Sequence, residues 1–217
     1  MRGCIVYACS GTKYAREALV SARRTREVMA DCPLVAFADA AAAQELSDSG
    51  LFAEVHTIAD PAFSFIDKTR IRLPAHYDAG LFLDTDIFLA ARVDDVFAIL
   101  ERFDLAVAHE PTRFSMDKGY QRLLDGGAPR GFPEMNTGVI GFRNSPEVAA
   151  FFEAWHADNA AREAAGVPPA HDQPAFRTAL WDSDLRFYVL PSEFNFRFEM
   201  PGFIGGFEGV RVLHGRG

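Results

Sequence analysis

Lysine is scarce in this chain. Only Lys13, Lys68 and Lys118 occur, and arginine makes up the rest of the 22 basic residues. That imbalance is a compositional bias and carries no functional reading. Positive charge is also in deficit: 30 acidic residues leave a net charge of −8. No basic stripe offsets it, so a binder of nucleic-acid backbone is excluded. Anionic small ligands are not excluded, because local charge matters more than the total. Cysteine is limited to Cys4, Cys9 and Cys32, an odd set without metal-ligand spacing. These read as reduced, buried thiols and give a cytoplasmic expectation, with peripheral contact at the inner membrane face left open. No run approaches the ~20 apolar residues of a membrane span, so no transmembrane segment is expected. In "MRGCIVYACSG" the apolar stretch is too short for a secretory signal and reads as a strand. Repeats, low-complexity tracts and linker-like charge blocks are missing too, and 217 residues suit a single domain, 1–217.

What is present is apolar material for a core: 49% hydrophobic residues and 20 phenylalanines. The first half alternates strand and helix. "CIVYA" (4–8), "PLVAFA" (33–38), "EVHTI" (54–58) and "AGLFL" (79–83) read as strands. Ala15, Ala18, Leu19, Ala22 and Met29 recur at helical spacing, with Ser10 or Thr12 as the cap. Asp39 is placed to cap a helix through Leu46, and a short helix is expected over 67–73. In the second half "DLAVAHE" (104–110), "NTGVIGF" (136–142), "RFYVL" (186–190) and the "VRVLHGRG" segment read as strands. Residues 111–133 read as a Gly/Pro-rich loop with a short helix. Ser145 caps a helix with Pro146 at its first position, and another helix begins near Asp172. Unbroken apolar strands alternating with helices predict an α/β fold with a mixed, mostly parallel central sheet covered on both faces.

One stretch does not fit a plain core. "LFLDTDIF" places Asp84 and Asp86 directly after an apolar strand. In open parallel sheets, ligands bind beyond the carboxyl ends of strands. Two carboxylates roughly 6 Å apart repel by about 3 kcal/mol at an effective dielectric of ~20. Burial would raise the pKa of each. A divalent cation removes the conflict, and oxygen donors suit Mg²⁺ or Mn²⁺, with an added imidazole favouring Mn²⁺. The competing reading is a polar turn or helix cap.

Two enzyme classes carry such a pair after an apolar strand. In haloacid-dehalogenase-like phosphatases the first Asp, here Asp84, is the nucleophile. In GT-A glycosyltransferases the pair holds a metal and the donor nucleotide. The phosphatase motif normally lies on the first strand, whereas about eighty residues precede this one. Six segments in order extend the comparison: "IVYACSGTKYAREALVSARRTRE", "DKTRIRLPAHYDAGLFLDTDIFL", "EMNTGVIGFRNSPEVAAFFEAW", "HDQPAFRTAL", "LPSEFNFR" and "VRVLHGRG". Together they resemble a small bacterial GT-A glycosyltransferase of the nucleotide-diphospho-sugar transferase group, related to glycosyltransferase family 8. The resemblance covers nearly the whole chain.

That resemblance implies a single Rossmann-like GT-A domain, with a nucleotide-binding half over 1–90 and a sugar- and acceptor-binding half over 91–217. Asp84, Asp86 and His214 would hold Mn²⁺ or Mg²⁺. Lys68, with Arg70 as its competitor, would sit near the donor diphosphate. Tyr7, Ala8 and Ser10 would line the base pocket through backbone contacts and ring stacking, against plain strand-end packing as the alternative. Asp39 reads better as a cap than as a base contact. Asp84, Thr85 and Gly138 would also belong to the donor site; Gly215 would let backbone approach phosphate, and Arg216 would pair with it. Asn136 would face the sugar hydroxyls or simply shape a turn. Asp172 would cap its helix and also meet the sugar, and Gln173 would orient sugar or acceptor. Phe194, Phe196, Phe198, Phe203 and Phe207 read as core or lid, with an aromatic acceptor platform as the minority reading.

The implied reaction is metal-dependent glycosyl transfer from a nucleotide-sugar, in this group most often a UDP-sugar, with retention by front-face attack around Asn136, Asp172 and Gln173. The acceptor, whether glycan, lipid, protein or small molecule, is not specified. A sugar-nucleotide pyrophosphorylase would need a Gly-rich basic loop, which "ACSGTKY" matches poorly. The phosphatase and a non-catalytic nucleotide-sugar binding module remain as alternatives.

Overall fold

The computed structural model describes residues 1–110, 128–129, 131–166, 172–198 and 207–215. The expected loop over 111–133 falls largely outside them. Four strands build the first half: β1 (Gly3–Cys9), β2 (Leu34–Ala38), β3 (Glu54–Thr57) and β4 (Ala79–Leu83). They alternate with helices α1 (Thr12–Val28) and α2 (Ala40–Asp48) and with a 3₁₀ turn over Phe65–Arg70 where a short helix over 67–73 was expected. A short strand β5 (Ile87–Leu89) and helix α3 (Asp94–Leu100) follow; neither was anticipated. The second half supplies β6 (Leu105–His109), β7 (Met135–Arg143), helices α4 (Pro146–Ala164) and α5 (Gln173–Trp181), and strands β8 (Phe187–Leu190), β9 (Phe196–Arg197) and β10 (Val212–His214).

Seven strands form the central sheet in the order β3-β2-β1-β4-β7-β6-β8. Six run parallel, and β7 opposes both neighbours, β4 and β6. The sheet is thus mixed and mostly parallel, as expected. Strand alternation splits the core. Ile5, Tyr7 and Cys9 face the layer of α1, α2 and α3. Cys4 and Val6 face the layer of α4 and α5, where Phe151, Phe152, Trp155 and Phe176 pack ring against ring. Burial pushes the Cys9 thiol up to about 12 and the Cys32 thiol up to about 11, so neither is a ready nucleophile. No helix among the described residues is long and apolar enough to cross a membrane.

Because β7 is reversed, its first residues lie at the edge where the other six strands end. Met135 pairs with His109, and Val139 with Leu83. Between Val107 and Ala108 the register jumps, so that Thr137 to Val139 fall between consecutive partners on β6. A second, three-stranded sheet, β5-β10-β9, stands beside this edge, with β10 antiparallel to β5 and His214 opposite Ile87.

The helix starts show which capping expectations hold. Ser145 accepts from the Val148 N–H and Pro146 opens α4, as anticipated. Neither Ser10 nor Thr12 caps α1. Its start is Gly11, at φ 91, and Ser10 instead donates to the Asp67 carboxylate at 2.7 Å. Asp39 caps α2, accepting from Ala41 and Ala42, and its second oxygen accepts from the Gly11 N–H at 2.6 Å. One carboxylate therefore fixes the first turn of α2 and the entry to α1. Asp39→Ala is expected to cost about 1–2 kcal/mol of stability, measured as a shift of the urea midpoint at unchanged m-value.

Candidate functional site

At the carboxyl edge of β4 the chain turns through Asp84, Thr85 and Asp86. The turn is pinned by the Asp84 N–H, which donates to Gly138 O on β7, and by the Ile87 N–H, which donates to Asp84 O. Thr85 is buried and donates its hydroxyl to Glu17 on α1 at 3.0 Å, so its side chain is tied to that helix and not to a donor site. Pairing of β10 with β5 carries His214 beside Asp86, with Nε2 3.6 Å from Asp86 Oδ1. Gly215 donates its N–H to Asp86 O at φ 133, a left-handed conformation that favours glycine. One ligand atom from each of Asp84, Asp86 and His214 lies within 4.8 Å of the others.

Lys68 is the buried cation of this edge. Its Nζ stands 3.0 Å from Asp84 Oδ1 and 3.3 Å from Asp172 Oδ2, and donates to Thr137 O at 3.5 Å. Burial works against its charge, but the carboxylates of Asp172 and Asp84 outweigh that and hold its pKa above the ordinary lysine value. Burial pushes the Asp84 pKa up, opposed by Lys68 and His214. Burial lowers the His214 pKa, opposed by the carboxylates of Asp84 and Asp86. Two carboxylates, Asp84 and Asp172, thus face the Lys68 ammonium, and a third, Asp86, stands beside His214. Two carboxylates and an imidazole converging there are a donor set that fits Mn²⁺ or Mg²⁺.

Behind Asp84, Asp86 and His214 lies a chain of buried amides whose connections the sequence does not show. His214 Nδ1 is 2.7 Å from Asn195 Oδ1, and Asn195 Nδ2 donates to Asn136 Oδ1 at 2.8 Å. The Gly138 N–H donates to that same Asn136 oxygen at 3.0 Å. Asn136 Nδ2 donates to Glu110 Oε2 at 2.8 Å and to Gln173 Oε1 at 3.3 Å. Arg197 in turn donates to both oxygens of Glu110. The sequence held one signal for Glu110: like Asp84, it is an acid directly after an apolar strand. Asn195 lies in "LPSEFNFR", one of the six segments that carry the resemblance, where no role was assigned to it.

Several expected roles change in this geometry. Asn136 spends both donors and both acceptor sites within the protein, leaving no bonding capacity for a sugar hydroxyl. Its place is inside the wall, in β7, and not in a turn. Asp172 precedes α5 without capping it by its side chain. That carboxylate accepts from the Thr137 hydroxyl at 3.0 Å and faces Lys68, while its backbone oxygen accepts from the Trp155 indole N–H. The Tyr7 ring is fully buried, with its hydroxyl on Ser21 and Thr25, so it cannot stack on a base. Ala8 is half-buried at the end of β1, and Ser10 is held by Asp67. Arg70 turns away from the aspartates to Ala59 O and the Asp67 side, so Lys68 holds the central place. Gly138 gives room to His214: a Cβ there would stand 2.4 Å from the imidazole Cε1. Phe194 and Phe196 are core, and Phe198 is 53% exposed. Arg216 and Phe203, and the side chain of Phe207, lie outside the described residues.

No protein-family model and no curated protein sequence matches the chain. Solved structures do. The galactosyltransferase LgtC, in complex with donor and acceptor sugar analogs, superposes with a TM-score of 0.62 at 16% identity, over 98% of this chain and 87% of LgtC. GlyE from Streptococcus pneumoniae, a glycosyltransferase, gives 0.65 at 17% identity, over 98% of this chain and 54% of its own. Mouse xyloside xylosyltransferase 1 gives 0.64 at 14% identity, over 98% and 97%. The chain has the fold of these glycosyltransferases, a GT-A-type α/β architecture.

Replacing Lys68 by Met would leave Asp84 and Asp172 facing each other without a cation. In chelator, this variant is expected to lose about 3 kcal/mol or more of stability, read from denaturant unfolding. Adding Asp172→Asn is expected to restore part of that loss, because it removes one of the stranded charges.

Proposed function

We propose that this protein transfers a glycosyl group from a nucleotide-diphospho-sugar, of the UDP-sugar class, to an acceptor hydroxyl. The observation that carries this reading is the convergence of Asp84, Asp86 and His214 beside Lys68 at the carboxyl edge of a GT-A-type sheet. LgtC, with the same fold, is known in complex with donor and acceptor sugar analogs. The neighbours include a galactosyltransferase and a xylosyltransferase, so the fold does not specify the sugar.

Asp84, Asp86 and His214 would hold a divalent cation, Mn²⁺ or Mg²⁺. Bound there, it supplies positive charge to the diphosphate as that group departs. Lys68 adds a fixed ammonium to the same wall, positioned before reaction by Asp84 and Asp172. Gly215 places a backbone without side-chain bulk next to Asp86, where a phosphate can approach. The sugar–diphosphate bond breaks and the acceptor oxygen bonds to the same carbon, its proton passing to the leaving diphosphate. Asp172 Oδ1 accepts from the Thr137 hydroxyl, and Oδ2, which makes no hydrogen bond, stands 3.3 Å from the Lys68 ammonium; we read the stereochemistry as retention by front-face attack. Gln173, beside Asp172 and at the sugar-facing end of α5, orients donor sugar or acceptor. An active-site glutamine is also the residue altered in one LgtC structure. The phosphatase reading is not favoured: Asp84 follows the fourth strand in chain order, and the structural neighbours are glycosyltransferases.

The test is a panel of nucleotide-sugars incubated with Mn²⁺, Mg²⁺ or chelator, with free nucleotide measured. Slow metal-dependent hydrolysis of one donor is expected, and Asp86→Ala should lower it at least 100-fold, the scale of removing a principal electrostatic group. His214→Ala should weaken metal-dependent nucleotide binding. If no nucleotide-sugar is bound or turned over with any divalent cation, the transferase reading is wrong. Binding without turnover would identify a nucleotide-sugar binding module.

A further inference from the structure

We infer that Asn195 and Asn136 form a directional hydrogen-bond relay that locks His214 in the Nδ1–H tautomer and leaves its Nε2 lone pair facing Asp86. The inference rests on the reading of His214 as a metal ligand for its purpose, but its direction follows from donor chemistry alone. A backbone N–H can only donate, so the atom of Asn136 that meets Gly138 N at 3.0 Å must be the amide oxygen. The other end of Asn136 is then the NH₂ group. It points at a Glu110 oxygen 2.8 Å away, a carboxylate partnered by Arg197 and able only to accept. The Asn136 oxygen accepts a second bond, from Asn195, so the Asn195 atom facing it must be nitrogen. What Asn195 offers His214 at 2.7 Å is therefore its oxygen, and the ring nitrogen opposite has to carry a proton. In a neutral imidazole one protonated nitrogen leaves the other bare. Here the bare one is Nε2, the atom on the Asp86 side.

Each step is fixed by a group whose partners set its role: a backbone N–H at one point and a carboxylate paired with Arg197 at another. Asn195 and Asn136 are buried, as is Glu110, so water does not compete for these bonds. Gly138 serves the arrangement twice. Its N–H orients Asn136, and its missing Cβ admits the His214 ring. Free imidazole places its proton on either nitrogen, so a ligand without this partner would present its lone pair in the right place only part of the time. Asn195, Asn136 and Glu110 are positioning residues: they act through His214 and do not touch the cation.

The experiment reads the tautomer directly. Protein labelled with ¹⁵N-histidine, held in chelator above the imidazole titration, reports by two-bond ¹H–¹⁵N spectra which His214 nitrogen is protonated. The Nδ1–H form is expected in the unaltered protein. Asn195→Ala should shift His214 toward the Nε2–H form and weaken Mn²⁺ binding, titrated with the metal alone, roughly 10- to 100-fold. Asn195→Asp keeps an acceptor at Nδ1 while losing the donor to Asn136; it should retain the Nδ1–H form and bind Mn²⁺ within a few-fold of the parent. A purely structural role would make the two variants behave alike. An Nε2–H tautomer in the unaltered protein overturns the relay, and so does an Asn195→Ala variant with unchanged tautomer or unchanged Mn²⁺ affinity. If the unaltered protein shows the Nδ1–H form but binds no Mn²⁺, the relay stands and the metal reading fails.

Discussion

Crowded negative charge at one edge of a sheet is the constraint on which this site depends. Asp84 and Asp86 from one turn and Asp172 from a second segment converge there, and the buried ammonium of Lys68 bridges Asp84 and Asp172. A charge taken out of water is tolerated only with close partners, so Lys68 and its carboxylates secure each other. Asp86 does not contact that ammonium; it stands beside the imidazole of His214, whose pKa burial lowers.

The reversed strand makes that convergence possible. Six parallel strands deliver their carboxyl ends to one edge, which brings Asp84 and Glu110 there. β7 delivers its amino end to the same edge, which brings Asn136, Thr137 and Gly138. The register jump then frees these residues from regular pairing with β6, so their backbone groups reach Asp84 and Lys68. The small sheet completes the set by placing His214 alongside Asp86.

Much of this was legible in the amino-acid order, because buried parallel strands are apolar on both faces and stand out as unbroken runs. "AGLFL" gave the bounds of β4, and Ser145 with Pro146 gave the start of α4. Legibility failed where an outcome depends on distant partners. Asp172 has the residue type and position of a cap, yet Thr137 and Lys68 compete for its carboxylate and win. Tyr7 stands near a strand end, but the face of the strand, set by the sheet, sends it into the core. Asn136 looked exposed because the direction of β7 is not written locally. The Asn195–Asn136 bond joins residues 59 apart in sequence, and no periodic pattern marks such a pair. β5 and α3, three and seven residues long, were too short to show a period.

Gly138 and His214 lie 76 positions apart, yet the imidazole occupies the volume that a β-carbon would take. Two distant positions therefore share a single allotment of space. The imidazole can keep this position only while the strand beneath it stays bare, so the freedom of either residue to vary is conditional on the other. Divergence at this edge has to proceed by paired change: any chain of this fold that acquires a side chain at the glycine position must place its imidazole elsewhere or give it up.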